Sequence, residues 1–424
     1  MIKNVCANSK GLVGEIVVPP DKSISHRAVM FASLANGVSR IDNFSSAQDP
    51  LSTVKIFQHL GVDIEFKDKN TLLIHSNGTL TKPNHNLDCG NSGTTMRLTA
   101  GILAGQNFNS VLIGDASLSK RPMKRIVEPL SLMGAEIVSE NYCAPLKIFG
   151  KNLHSINYTS KIASAQVKSS VILAGLSAEG VTNYVEPYLS RNHSELLLKY
   201  MGADISVNEC SVSVKKSQLE PKEISVCGDI SSAAYFIVAA LIVPNSNIIL
   251  KNVGLNPTRC GIIEVVKQMG GQIEILDKKT VSGEIVGDIR VKYSDLKSCN
   301  ISGDIIPRLI DEIPVIAVLA TQAEGETIIK DAKDLRNKES DRISTVVCEL
   351  RKLGADIDEL EDGFVIRGKS KLRGSVAVET YNDHRLAMSL FVAGLVCEKE
   401  IAINNFEWVN ISFPEFCILM NSLI

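Results

Sequence analysis

The sequence predicts a mixed α/β (α+β) protein of two similar domains. Each domain holds three repeated strand–helix units, with buried helices inside and sheets outside. The first observation behind this is internal repetition. One phrase recurs: an amphipathic helix ending in Leu or Met, then Gly, a small residue, an acidic or polar residue, and Ile. It reads Leu60-Gly61-Val62-Asp63-Ile64, Met133-Gly134-Ala135-Glu136-Ile137, Met201-Gly202-Ala203-Asp204-Ile205, Met269-Gly270-Gly271-Gln272-Ile273 and Leu353-Gly354-Ala355-Asp356-Ile357. Each glycine is expected just past a helix in the left-handed region, and each Ile begins a strand. The second observation is an almost continuous run of Ala, Val, Leu and Ile at the same period, always behind a polar start. The runs are 25–35, 92–104, 164–176, 231–241, 311–320 and 383–395. Helices apolar on every side belong in a core. The third is the set of alternating β-branched runs between the helices, such as Ser110-Val111-Leu112-Ile113 and Asn247-Ile248-Ile249-Leu250.

Six such units do not share one core easily, so two groups of three follow. Residues 20–228 form one lobe; 1–19 and 229–424 form the other. The chain crosses between them at Pro19-Pro20 and again near 227–229. The first strand is too short for a unit of its own and is expected to complete the C-terminal lobe. Cations and hydroxyls gather at the helix starts (Lys22, Ser23, Arg27; Asn91, Ser92, Arg97; Ser164, Gln166; Asp311; Asp383, Arg385), whereas the far ends carry Gly and Ala. The six starts are therefore expected to face one cleft.

Composition narrows the function. The 424 residues carry a net charge of −2, with 22% charged and 45% hydrophobic residues. A general nucleic-acid or membrane-surface binder is normally basic overall, so neither partner is expected. No signal-peptide apolar region opens the chain, and no run of about 18 apolar residues occurs. The ten cysteines are scattered without zinc or disulfide spacing. These features point to a reduced, cytoplasmic protein without a metal.

The densest chemistry lies in Asp21-Lys22-Ser23-Ile24-Ser25-His26-Arg27, directly after a strand-like run and two prolines. Ser23 or Ser25 is expected to cap the helix that follows. Lys22 and Arg27 then stand at the positive end of a helix dipole, which calls for an anion, a phosphate or a carboxylate. Further blocks share this character: Gly90-Asn91-Ser92-Gly93-Thr94-Thr95-Met96-Arg97, Gly114-Asp115-Ala116-Ser117-Leu118-Ser119-Lys120-Arg121-Pro122-Met123, Ser164-Ala165-Gln166-Val167-Lys168-Ser169, Asp311-Glu312-Ile313-Pro314, Leu335-Arg336-Asn337-Lys338-Glu339-Ser340-Asp341-Arg342 and Asp383-His384-Arg385.

Taken in this order over the whole chain, these blocks resemble the 5-enolpyruvylshikimate-3-phosphate synthase (3-phosphoshikimate 1-carboxyvinyltransferase) family. The resemblance implies the enolpyruvyl transferase fold and transfer of the enolpyruvyl group of phosphoenolpyruvate to the 5-hydroxyl of shikimate 3-phosphate. Phosphate is released, and no metal or organic cofactor takes part. It further implies that Lys22, Ser23, Arg27, Ser164, Gln166, Arg191, Asp311 and Lys338 meet shikimate 3-phosphate. Lys22, Asn91, Gly93, Arg121, Gln166, Arg342 and Arg385 meet phosphoenolpyruvate; arginine suits this because its planar fork pairs with carboxylate and phosphate. Asp311 is the expected base for the 5-hydroxyl proton and a possible helix cap as well. Glu339 and Lys22 are expected to handle the methylene proton. Arg336 is expected in a structural ion pair, and Asp341 and His384 in supporting roles.

Some positions depart from the commoner pattern. Leu98 stands where glyphosate-sensitive members have proline, Ala165 where they have serine, and Ile411 where they have a lysine that binds phosphoenolpyruvate. This resembles the divergent class II group, with Lys120 or Arg191 as the expected replacement cation. The same-fold transferase acting on UDP-N-acetylglucosamine fits less well, because residues 114–123 contain no cysteine. An RNA-binding protein of related repeats fits poorly with 5% aromatics and a near-neutral charge. A monomer is expected, with clustered cations holding the empty lobes apart until the substrate anion arrives.

Overall fold

Apolar sequence on every side of a helix leaves it no stable place except inside, and six helices of the protein answer to that description. The computed structural model describes residues 1–424. The chain divides into two units, residues 20–227 with 280–284 and residues 1–19, 228–279 and 285–424. The first unit contains the buried helices Lys22–Leu34, Gly93–Ala104 and Ala165–Gly175. The second contains Ile230–Ile242, Ile313–Thr321 and His384–Gly394. The helix Ile313–Thr321 is buried along its whole length.

The strands form six small sheets, five of four strands and one of three. In the first unit Asn36–Asp42 pairs antiparallel with Leu72–Asn77 and parallel with Glu223–Ser225. Asp63–Phe66 closes the far side. The order edge, first, third, second recurs around Asn109–Ile113 and Val181–Val185. In the second unit it recurs around Asn247–Gly254 and Gly325–Ile329. Along Leu72–Asn77 the residues Leu72 and Ile74 are buried and His75 is exposed, the alternation of a sheet with one face on a core.

Two edge strands are exchanged relative to chain order. Val13–Val17 precedes the first buried helix yet pairs with Asn247–Gly254; Glu223–Ser225 precedes the fourth yet pairs with Asn36–Asp42. Lys3–Val5 pairs with Ile401–Asn404, in place of the third strand that the sixth copy lacks.

Five surface helices end as the repeated phrase requires. Gly61, Gly134, Gly202, Gly270 and Gly354 have φ of +87°, +94°, +86°, +80° and +95°. Glycine adopts that region without the Cβ clash that other residues meet. One glycine acts differently: a Cβ on Gly101 would stand 2.2 Å from the carbonyl oxygen of Ser170. The helices Gly93–Ala104 and Ala165–Gly175 thus touch backbone to backbone. No helix is long and apolar enough to cross a membrane.

Candidate active site

Helix starts deliver polar side chains in both units, though the caps differ from expectation. Neither Ser23 nor Ser25 caps the first helix. Asp21 does, accepting from the Ile24 amide at 2.9 Å, while Ser25 Oγ accepts from the Ser45 amide. A carboxylate is the stronger partner for the positive helix end, and the helix begins one residue later, at Lys22. Lys22 Nζ, about a third exposed, pairs with Asp49 Oδ2 at 2.9 Å. Arg27 is 3% exposed. Its Nε donates to Ser194 Oγ at 2.7 Å, Nη1 to the Ser23 carbonyl at 2.9 Å and Nη2 to Ser169 Oγ at 3.1 Å. Burial lowers the Arg27 pKa to about 10, with Glu195 and Asp21 opposing and Arg191 adding to the fall. Arg191 is thus near enough for its charge to act on Arg27.

Around the second helix, Ser92 caps and Gly93 opens the first turn. A Cβ on Gly93 would lie 2.8 Å from Arg97 Nη1, so the glycine makes room for that guanidinium. Arg97 donates to Gln166 Oε1 at 2.6 Å, and Gln166 Nε2 donates to Thr94 Oγ1 at 3.0 Å. Arg121 Nη2 donates to Asn91 Oδ1 at 2.9 Å, and Asn91 Nδ2 to Asp115 Oδ2 at 2.7 Å. Ser164 caps the third helix with a long 3.5 Å contact to the Val167 amide. Arg97, Asp49 and Asp115 bond to Gln166, Lys22 and Asn91, and the sequence assigned them no role. Arg97 closes a motif already singled out; Asp49 carried no signal, because its link to Lys22 depends on tertiary packing.

The second unit holds a compact charged cluster. Asp311 lies 3.4 Å from Lys338 Nζ, 3.5 Å from Arg342 Nη1 and 4.0 Å from Arg385 Nη2. It does not cap the helix Ile313–Thr321: Glu312 occupies the cap position, its side chain accepting from Ser231 Oγ and not from the helix amides, and Asp311 faces the cations. Arg342 is 1% exposed and bridges Asp383 at 2.7 Å and Glu339 at 2.7 Å. Asp383, fully buried, also caps its helix through the Arg385 amide at 2.9 Å, so one carboxylate fixes both arginines.

Burial alone would push the Asp383 carboxyl up, but Arg342 outweighs it and holds the pKa low. Burial opposes ionisation of Glu339 too, and Arg342, His384 and Lys338 outweigh it, holding this carboxyl below the ordinary range. Both are carboxylates at neutral pH. His384 is pushed down to about 4 by burial and is a neutral imidazole there. Arg336 bridges Asp341 and Glu359, each at 2.9 Å, in the structural role expected of it. Asp341 caps its helix.

The cations are not bare. Lys22, Lys338, Arg342 and Arg385 each have a carboxylate within 4.0 Å. Lys338, Arg342 and Arg385 face Asp311, Glu339 and Asp383, three cations against three carboxylates.

This fold, with arginines and a carboxylate gathered at helix starts, is that of an enolpyruvyl transferase. The structure superposes with a TM-score of 0.79 on the enolpyruvyl transferase NikO from Streptomyces tendae, covering 100% of this chain and 97% of that one, at 14% identity. It superposes with a TM-score of 0.91 on EPSP synthase from Acinetobacter baumannii, at 41% identity over 99% of this chain and 97% of that one. The family model of EPSP synthase (3-phosphoshikimate 1-carboxyvinyltransferase) matches residues 6–419, and the chain belongs to that family. The 3-phosphoshikimate 1-carboxyvinyltransferase of Thermoanaerobacter sp. (strain X514) is 54% identical over 407 residues, 96% of each chain. That of Thermodesulfovibrio yellowstonii is 52% identical over 429 residues, 100% of each.

Proposed function

We propose that the two sets of side chains serve a single reaction. The enolpyruvyl group of phosphoenolpyruvate passes to the 5-hydroxyl of shikimate 3-phosphate, and phosphate leaves. The chain is accordingly a transferase of the shikimate pathway, serving aromatic amino-acid biosynthesis, as its family membership implies. The observation that carries the residue roles is the Asp311 cluster. There one carboxylate can serve as a base while Lys338, Arg342 and Arg385 around it can grip a small anion.

In this reading Asp311 takes the 5-hydroxyl proton as the oxygen adds to the central carbon of phosphoenolpyruvate, and the methylene carbon gains a proton to become a methyl group. The tetrahedral intermediate then returns a methyl proton and expels phosphate. Glu339 and Lys22 are the groups assigned to the methylene proton. Glu339 is ionised beside Arg342, and about a third of its side chain is accessible. When phosphoenolpyruvate competes for Arg342, Glu339 loses its partner and gains affinity for the proton it must deliver. Ser23, Arg27, Ser164, Gln166, Arg191 and Lys338 are assigned to shikimate 3-phosphate. Asn91, Gly93, Gln166, Arg121, Arg342 and Arg385 are assigned to phosphoenolpyruvate. Leu98, Ala165 and Ile411 support membership of the divergent class II group. A monomer in the cytoplasm, working without cofactor, nucleic acid or membrane, completes the reading.

Calorimetry tests the assignment. Arg27→Gln should weaken shikimate 3-phosphate binding at least tenfold. Arg385→Gln should leave that binding within about threefold and raise the KM for phosphoenolpyruvate at least about tenfold. The opposite pattern would exchange the two roles.

A further inference from the structure

Beneath Arg27 lies a lysine to which the reaction gives no task. Lys168, on the helix Ala165–Gly175, has a side chain 0% exposed. Its ammonium meets Glu186 Oε1 at 2.7 Å and Glu195 Oε1 at 2.8 Å, and donates to the Ser190 carbonyl at 3.3 Å. Both carboxylates are buried as well. Desolvating so many charges costs several kcal/mol per ion, so an apolar side chain would serve packing at least as well. Glu195 also acts on the guanidinium of Arg27, which links the lysine's carboxylates to that arginine.

The connections run to the substrate arginines and to little else. Ser169 follows Lys168, and Ser194 precedes Glu195; these two hydroxyls lie 2.6 Å apart and receive Arg27 Nη2 and Nε. With the Ser23 carbonyl they occupy three of the five N–H donors of Arg27 and fix its plane. On the other side, Glu186 Oε1 accepts both from Lys168 and from the Ser190 amide at 2.8 Å. That closes the turn just before Arg191.

We propose that Lys168 is a positioning residue for shikimate 3-phosphate: together with Glu186 and Glu195 it holds the Arg27 guanidinium and the turn that presents Arg191. This rests on the assignment of Arg27 and Arg191 to that substrate. A lysine placed only for stability would affect both substrates alike when removed. A lysine that mounts these arginines would affect one.

The test is steady-state kinetics of Lys168→Met, which keeps the length and apolar stem of the side chain, beside the wild type. The expected result is a KM for shikimate 3-phosphate raised about tenfold or more, with the KM for phosphoenolpyruvate and kcat within about threefold. Shikimate 3-phosphate affinity by calorimetry should fall by the same factor. A folded variant with that KM within about twofold of wild type overturns the proposal, as does an equal rise in both KM values. Should Lys168→Met not fold, Glu186→Gln removes a charge at nearly constant volume and is judged by the same split. Absence of turnover in the wild type would instead count against the functional assignment itself.

Discussion

Replacing Asp311 by Asn tests the reaction where its chemistry is most concentrated. The change keeps shape and hydrogen-bonding reach but removes the only carboxylate facing Lys338, Arg342 and Arg385 together, at 3.4, 3.5 and 4.0 Å. A positioned general base contributes about 10²–10⁴ in rate, or about 2.7–5.5 kcal/mol of barrier. kcat should fall by that factor. The effect on phosphoenolpyruvate is expected to have the opposite sign. Asp311 competes with any incoming anion for the same three cations, so its neutralisation frees them, and the KM for phosphoenolpyruvate should stay level or fall. Initial rates of phosphate release across a grid of both substrates separate the two effects. A kcat within tenfold of wild type, with a KM raised tenfold, would show that Asp311 binds substrate and abstracts no proton.

Three further outcomes follow from the packing. Arg342→Met leaves Asp383 buried without its partner and should cost about 3–5 kcal/mol in urea unfolding; adding Asp383→Asn should recover most of that stability but no activity. Gly101→Ala drives a methyl group against the Ser170 backbone and should destabilise by about 1–3 kcal/mol or more. His26 is fully buried, and burial lowers its pKa to about 3, as it lowers His384 to about 4. In the unfolded chain both take up a proton near the ordinary histidine value of 6.5, while the folded chain does not. Stability is therefore complete above that pH and declines as pH falls towards 4 and 3. Each histidine should contribute about 2 kcal/mol to the loss between pH 7 and pH 5. Urea unfolding of His26→Gln at both pH values should show a loss smaller by that amount; an unchanged loss would mean that the imidazole is not buried neutral.

The fold was legible because its signals are local and repeated. An apolar run long enough for a helix recurs in six copies and a glycine with positive φ before a strand in five, so each copy supports the others. The exchange of edge strands was legible only in part. That Val13–Val17 belongs to the C-terminal lobe followed from the shortness of the first strand, whereas its pairing with Asn247–Gly254 and the reciprocal step of Glu223–Ser225 to Asn36–Asp42 had no signal of their own. At the candidate site, sequence motifs gave the residues assigned to the substrates, and they did not give those residues' partners. Asp49 on Lys22 and Glu195 near Arg27 lie on other elements, where only packing can select them. Helix caps misled for a local reason. Asp21, beside two serines, takes the cap of the first helix, and Asp311 sits before a helix yet its carboxylate faces three cations.

The most direct measurement mixes the purified protein with shikimate 3-phosphate and phosphoenolpyruvate and follows inorganic phosphate. The account predicts steady release that requires both substrates, needs no added metal, and yields one enolpyruvyl ether per phosphate. Phosphate freed from phosphoenolpyruvate alone, or none from the pair, would contradict it.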